Sequence, residues 1–314
     1  MAVQINSAPD GVNTATYAID ANGNVTGLVT PNGSIISVSG TYTWANLIAR
    51  TGVSAGSTAV VQDFNYAQFW YDGVRWRPQY KTPLLGGGPP FVMQGGGTVG
   101  ASFALTLTTP LPITFTGGCY MYFLTNGIRT VGTGGNTAGW YWVVMSSTTA
   151  GTVYNYQYTG GQPVVPTSPP VFTGTNAGAY VQQVGSSIVG PYFSVPGGAL
   201  GIVGGLEFEY LGYGVTNSVF QMGYGTPIYG ANSLTLAGAN SLRLSAKIRN
   251  MGVTGQQLGK NDFDSTSGYG QFGALPTITT NDSTVAQQAQ FITYIAASAT
   301  DYSIMAQYNL DLLP

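Results

Sequence analysis

An alternation of side chains near the carboxyl end constrains the fold more than any other pattern in the chain. One set of residues is apolar and consists of Tyr302, Ile304, Ala306, Tyr308, Leu310 and Leu312. The set between them is mostly polar and consists of Ser303, Met305, Gln307, Asn309 and Asp311. A period of two over this length predicts a β-strand with one buried face, because successive side chains of a strand point to opposite sides of its sheet.

The same chemistry extends through most of the chain and predicts an all-β protein. The apolar residues are β-branched and aromatic, and Gly, Asn and Thr separate them into short runs. The nearly continuous apolar run Gly139–Met145 predicts a strand that is buried on both faces, either inside a sandwich or between a sheet and a neighbouring subunit. We therefore predict a small N-terminal β module followed by two β-sandwich or jelly-roll-like domains.

Four regions follow from the turn signals. Residues 1–36 have few large apolar side chains, and we expect this N-terminal segment to become ordered by docking. The other three regions are predicted to be a small β-hairpin module at 37–82, a middle β domain at 91–178 and a C-terminal jelly-roll-like sandwich at 179–314. The Gly/Pro run Leu85–Pro90 marks a boundary or forms a tight packed turn.

Two local predictions concern the hairpin module. Thr41–Trp44 has the composition of a strand start. Asp72-Gly73 lies between aromatic residues and predicts a type I′ hairpin turn, whose two central positions need positive φ, and Pro78 is expected to end the second strand.

Charge is scarce, and this excludes most catalytic chemistry. Only 6% of the 314 residues are charged, compared with about 25% in ordinary soluble domains. The absence of His excludes Ser-His-Asp triads and imidazole metal ligands, and one cysteine, Cys119, cannot build a thiolate zinc site. The glycines at 132–135 lack the rest of a phosphate-binding loop, and Asp262–Gly268 is a poor match to a calcium loop. We expect no enzyme activity, no cofactor and no metal.

The scarcity of charge also limits which partners the protein can bind. The nine Lys and Arg residues are scattered, so no nucleic-acid footprint is present, and no apolar run approaches the roughly 18 residues of a membrane span. Antiparallel sheets with few charged edge residues aggregate unless their edges are covered. An uncharged surface of this kind is therefore expected to be buried in symmetric contacts between copies of the chain, with a homotrimer as the expected assembly.

Two groups of residues are candidates for binding. The first group, the aromatic set, consists of Trp140, Trp142, Tyr154, Tyr156 and Tyr158. It could form a stacking surface for sugars or a partner, and the alternative is a position in the core or at a subunit interface.

The second group consists of charged residues on strand faces. Glu207 and Glu209 share one face of a strand, roughly 7 Å apart, a separation that also suits a glycosidase pair. The simpler interpretation is ion pairing across strands or between subunits with the cations Arg243, Lys247 and Arg249, which likewise share one face.

Three segments resemble modules of tailed-bacteriophage structural proteins. The sequence TYTW at 41–44 followed by FWYDGVRWRP at 69–78 resembles a recurrent virion module with a DGxxWRP motif. AGWYW at 138–142 with SSTTAGTVYN at 146–155 resembles a second module. VPGGALG at 195–201, running to NLDLLP at 309–314, is similar to the jelly-roll-like C-terminal domain of tail-fibre and appendage proteins.

The resemblance implies a virion structural protein that is made in the host cytoplasm and displayed on the particle. It implies a short trimeric fibre or appendage whose N-terminal segment docks on a capsid or tail protein, and whose outer part contacts a glycan or protein of the host surface. The alternatives are a capsid decoration protein, a polysaccharide-degrading tailspike and a secreted lectin or adhesin; the last needs an export signal, and the N-terminus MAVQINSAPDG shows none.

Overall fold

The computed structural model describes the backbone of residues 2–6, 14–19, 25–29, 35–36, 40–124, 128, 138–176, 179–180, 188–215, 218–225, 240–265, 268–271, 277–295 and 300–314. Side chains are described over the same ranges except at 2–36, 179–180, 218–219, 240, 261–279 and 294–295. The glycines at 132–135 lie outside these ranges. Almost all regular structure is β, which confirms the predicted class.

The N-terminal segment contains a sheet of its own. Its strands are β1 Ala2–Asn6, β2 Thr14–Ile19, β3 Val25–Val29 and β4 Ile35–Ile36. They pair antiparallel in chain order. The segment thus forms a four-stranded sheet, and its docking role stays a prediction.

A second small sheet forms the hairpin module. Its strands are β5 Gly40–Tyr42, β6 Thr58–Val61, β7 Ala67–Tyr71 and β8 Trp76–Pro78, in that order. β5 and β6 pair in parallel, which requires a crossover connection, and the short helix α1 Trp44–Ile48 lies in it.

The helix limits the strand start predicted at Thr41–Trp44 to Thr41 and Tyr42. Thr43 is the N-cap, with extended φ and ψ, and its hydroxyl accepts a hydrogen bond from the Asn46 amide at 3.3 Å. The Trp44 amide donates to the Asp63 carboxylate at 2.5 Å. These bonds satisfy two of the amides that a helix start leaves without intrahelical partners. The strand therefore ends at Tyr42.

The predicted hairpin at Asp72-Gly73 is present with a different turn. Four residues, Asp72 to Arg75, connect β7 to β8, and Tyr71 pairs with Trp76. Gly73 has φ +97°, while Asp72 is not among the residues with positive φ. The Asp72 carboxylate instead accepts from the amides of Val74 and Arg75, each at 2.8 Å, and this Asx-type turn replaces the type I′ turn. β8 ends at Pro78, as expected.

The remaining strands belong to the two larger sheets. The first set is β9 Thr82–Gly86, β10 Phe91–Gln94, β11 Gly97–Val99, β12 Ala104–Leu107, β13 Cys119–Phe123, β14 Gly139–Met145, β15 Ala150–Gln157 and β16 Ala179–Tyr180. The second set is β17 Ile188–Val195, β18 Gly205–Gly214, β19 Ser218–Tyr224, β20 Asn240–Asn250, β21 Gln257–Ser265, β22 Gly268–Gln271, β23 Thr277–Thr279, β24 Gln287–Ile295 and β25 Tyr302–Leu313.

One large sheet runs through both predicted sandwich domains. Its strand order is β16-β11-β12-β15-β14-β13-β10-β25-β18-β20-β21-β22. Outside this order, β9 pairs with β25 and β23 pairs with β21. The junction is the antiparallel pairing of β10 with β25, which joins the predicted middle domain to the final strand. Of Asp262–Gly268, the poor match to a calcium loop, Asp262 to Ser265 belong to the end of β21 and Gly268 begins β22, while residues 266–267 lie outside the described ranges.

The C-terminal part is sandwich-like. A separate sheet, β17-β24-β19, faces β18 and β25 of the large sheet. Phe291 of β24 lies 5.6 Å from Phe208 and 5.9 Å from Tyr308 between ring centroids. Tyr308, Leu310 and Leu312 lie in this core, as the alternation predicts. A register shift at Ala306 corrects the rest of the predicted apolar face: Met305 lies in the same core cluster, Tyr302 and Ile304 lie in the second cluster, and Ala306 is exposed.

The hairpin module packs on the same core instead of standing apart. The Trp44 indole donates to the Gly197 carbonyl at 2.9 Å, and Phe64 lies 6.2 Å from Phe193 between ring centroids. The run Leu85–Pro90 is likewise a packed turn, because the Tyr308 hydroxyl donates to the Pro89 carbonyl at 3.0 Å.

Candidate functional site: the outer face of the C-terminal sheet

The polar face of β18, β20 and β25 carries a grid of charged and amide side chains. The antiparallel registers align Lys247, Glu207 and Asp311 in one row. They align Ser245, Glu209 and Asn309 in the next row. Because every second residue of a strand faces the same side, the two rows share the face opposite the core.

Glu207 is the centre of a network of two cations and two anions. It lies 2.7 Å from the ammonium of Lys81 and 3.0 Å from that of Lys247. The Lys81 ammonium also lies 3.1 Å from the Asp311 carboxylate. Partial burial acts to raise the pKa of Glu207, but the hydrogen bonds and charges of Lys81 and Lys247 outweigh it, and the pKa lies below its ordinary value.

Glu209 pairs diagonally with Arg243. One carboxylate oxygen accepts from the Arg243 Nε at 2.9 Å and from its Nη2, and the other accepts from the Asn309 amide at 3.4 Å. The Arg243 hydrogen bond is the main reason why the pKa of Glu209 is lowered. Cross-strand ion pairing of both glutamates, the simpler of the two interpretations, is therefore what the geometry contains.

Arg249 departs from the predicted pairing. The register places it opposite Gly205, one row beyond Glu207 and on the same face. Its guanidinium points to the carbonyl oxygens of Val203 at 3.5 Å and Pro314 at 3.4 Å. Within the part of the chain that the structure describes, neither glutamate is its ion-pair partner. A role of these charges between subunits stays a prediction.

A groove of about 590 Å³ opens along the edge of this face. Its walls come from the hairpin module, β9, the loop after β15 and the polar rows of β18 and β25. The lining side chains with polar groups are Asn65, Lys81, Gln162, Glu209, Asn309 and Asp311. A second cavity of about 260 Å³ adjoins it, and Glu209 lines both.

Hydrogen bonds fix the shape of the groove. The Asn65 amide donates to the carbonyls of Pro83 and Leu84, both at 3.1 Å. Gln162 binds Gly86 reciprocally, accepting from its amide at 3.0 Å and donating to its carbonyl at 2.7 Å. The groove walls thus belong to segments that are held in place without a ligand.

The aromatic set lies in or against the core, which corrects its interpretation as an exposed stacking surface. Trp140, Trp142 and Tyr158 are buried, and Tyr154 and Tyr156 are partly buried against the same cluster. The physical reason is that Gly139–Met145 is covered on both faces: Trp140 and Trp142 face the larger core cluster, and Tyr141 and Val143 face the second. The two-sided burial predicted for this strand is confirmed within one chain.

A second surface is apolar, in contrast to the charged outer face of the C-terminal sheet. The exposed residues Ile202, Val203, Met251, Val253 and Val285, which we call the apolar end, are 37% to 53% exposed. They lie on three loops that are joined by backbone hydrogen bonds, from Gly252 to Ile202 at 2.8 Å and from Ser283 to Thr254 at 3.0 Å.

Buried amides fix these three loops. Gln257 is fully buried and donates to Asn250 at 3.0 Å and to the Asn281 carbonyl at 2.8 Å, while its own oxygen accepts from the Asn281 amide at 2.9 Å. Asn250 in turn donates to the Ser283 hydroxyl at 2.9 Å. Fully satisfied buried polar networks make a local structure rigid and unique.

Sequence reasoning missed several members of both surfaces. Asp311 and Asn309 share the polar set of the final strand, so the alternation contained a signal for them. Lys81 and Asn65 come from other segments, and no pattern in the sequence places Lys81 beside Glu207 or Asn65 beside the carbonyls of Pro83 and Leu84. The apolar end arises from three separate loops and has no sequence signature.

Comparisons with known proteins add little. No family model matches the chain, and no curated protein matches it. A solved structure of an engineered GH43 glycoside hydrolase with endo-xylanase and exo-arabinofuranosidase activity is similar at 10% identity, over 96% of this chain and 70% of that one. Its TM-score of 0.25 is too low to carry an argument.

In the described ranges, no helix is long and apolar enough to cross a membrane, and no group of three potential metal-binding side chains was found.

Proposed function

We propose that this protein is a structural component of a tailed-bacteriophage virion, a short self-assembling appendage on the tail or capsid surface. The apolar end is the observation that carries the self-assembly part of this proposal. Contiguous exposed apolar residues on a soluble protein mark interaction sites, and interface cores are depleted in charge and enriched in Met. The virion assignment is supported by the resemblance of the three sequence modules.

The composition of the three loops favours a copy of the chain as the occupant. Residues 196–204 and 250–257 contain no charged side chain, and 281–286 contain only Asp282. Such a surface has little charge with which to recognise a charged partner. Homo-oligomers close by symmetry, and a trimer needs no second gene product to cover the patch.

The polysaccharide-degrading alternative receives no support from the glutamates. A glycosidase needs one carboxylic acid with a raised pKa to protonate the leaving oxygen. Glu207 and Glu209 both have lowered pKa values, and lysine or arginine partners hold both of them. The proposed role is therefore structural, with these ion pairs as part of the sheet.

Sedimentation velocity of the full chain tests self-assembly. We expect a trimer at low micromolar concentration, and we expect Val253→Asp to weaken association roughly 100-fold, because it places like charges together at the apolar end. Val171→Asp is the matched control, since Val171 is 68% exposed and lies outside this surface. A monomeric wild-type protein, or equal effects of both substitutions, would contradict the proposal.

The virion assignment needs a separate test. Mass spectrometry of phage particles purified from the genome that encodes this chain is expected to find the protein in stoichiometric amounts. Its absence from intact particles would overturn the assignment and leave the self-assembly result standing on its own.

A further inference from the structure

The groove beside the polar rows has the size and chemistry of a small-ligand site. Its volume of about 590 Å³ lies within the usual range of roughly 300–1,000 Å³ for ligand pockets. The charged residues that line it are Lys81, Glu209 and Asp311, and each of them is held in an ion pair, Lys81 with Asp311 and Glu209 with Arg243. A neutral ligand therefore suits it better than an anion or a cation.

The groups left for a ligand are both donors and acceptors. The Lys81 ammonium has three N–H donors and contacts two carboxylates, Glu207 and Asp311. The Asn65 amide group uses its nitrogen for two backbone carbonyls, and its oxygen has no hydrogen-bond partner in the described part of the chain. The Asn309 amide likewise uses its nitrogen for Glu209. Hydroxyl groups, which donate and accept at once, match such a mixture.

Two exposed tyrosines stand next to the groove residues in the chain. Tyr66 follows Asn65 and is 66% exposed, and Tyr80 precedes Lys81 and is 65% exposed. Asn65 and Tyr66 have φ of 54° and 60°, so two consecutive non-glycine residues adopt the left-handed region. Such strain costs about 1–3 kcal/mol per residue and concentrates at ligand-binding sites. Aromatic rings supply an apolar face with a polar tip.

We infer that this groove binds a neutral oligosaccharide, with ring stacking on Tyr66 and Tyr80 and hydroxyl contacts to Asn65, Lys81 and Asn309. The inference goes beyond the proposed assembly, because every residue that it uses belongs to one copy of the chain. It also differs from the aromatic set predicted from the sequence, whose members lie in or against the core.

Calorimetric titration of the full-length protein with cellotetraose, maltotetraose, xylotetraose and chitotetraose tests the inference, with a heparin tetrasaccharide as the charged comparison. We expect at least one neutral sugar to bind with a Kd of about 1 mM or tighter. Tyr66→Asn and Tyr80→Ala are each expected to weaken binding about threefold to tenfold, since an aromatic contact contributes that much beyond its burial. Asn tolerates the left-handed backbone at position 66, so this variant keeps the fold.

Val171→Ala is the control for general surface effects and is expected to bind like the wild type. The inference is overturned if none of the four neutral sugars binds, if the heparin tetrasaccharide binds more tightly than all of them, or if both tyrosine variants bind normally. Sedimentation of the same samples reports assembly independently, so a failure of sugar binding and a failure of the proposed function are distinguishable.

Discussion

Replacement of Gln257 by leucine is the sharpest test of how the apolar end is held. The Gln257 side chain is fully buried and makes four hydrogen bonds at 2.8 to 3.2 Å. Leucine has a similar size but no polar group, so the amide and carbonyl of Asn281 and the oxygen of Asn250 lose their partner. Each orphaned buried group costs about 1–3 kcal/mol.

The expected loss in free energy of unfolding is about 2–5 kcal/mol, because added apolar burial of the leucine offsets roughly 1 kcal/mol and local relaxation offsets more. Urea unfolding at one fixed protein concentration measures it, since association shifts apparent stability. The matched control is Gln287→Leu: Gln287 is only partly buried, and its amide donates one bond, to the Asp282 carbonyl at 2.8 Å.

The control is expected to change stability by less than about 1 kcal/mol. If Gln257→Leu is as stable as Gln287→Leu, the buried amides do not hold the loops and the reasoning is refuted. The same variant is expected to assemble less well, because its three loops no longer keep one arrangement.

Three further predictions follow from other parts of the chain. Cys119 is fully buried and burial raises the pKa of its thiol, so iodoacetamide should label it only after denaturation; rapid labelling of the native protein would contradict the fold. Asp72→Ala should lower the free energy of unfolding by about 2–3 kcal/mol in urea, because two backbone amides and Arg77 lose their acceptor; a change below about 0.5 kcal/mol would count against the turn. The pKa values of Asp72, Glu207 and Glu209 are lowered in the folded state, so their stabilisation is present above about pH 4.5 and is lost as pH falls through the lowered values. Urea midpoints from pH 7 to pH 2 should fall accordingly, and an unchanged midpoint would contradict this.

Local patterns predicted the strands well because alternation reports directly on the two faces of a strand. The final strand and the run Gly139–Met145 are both present. The helix at Trp44 was missed because one turn of helix leaves no period, and only the capping hydroxyl of Thr43 marks it.

Long-range pairing could not be predicted in the same way. Nothing in the Phe91–Gln94 segment shows that it pairs with β25, which lies at the other end of the chain. The exposed aromatic surface was a wrong interpretation for the same reason, because burial of the second face of a strand depends on elements that are distant in sequence. Of the outer-face charges, the pairing of Glu207 with Lys247 followed from strand alternation, whereas its contact with Lys81 required the fold.

Electron cryomicroscopy of the purified, assembled protein shows directly whether the apolar end joins copies of the chain. We expect a particle of three copies, each of 32.7 kDa, in which Ile202, Met251 and Val253 of one copy contact a neighbouring copy. Single copies, or an assembly in which the apolar end faces solvent, would contradict it.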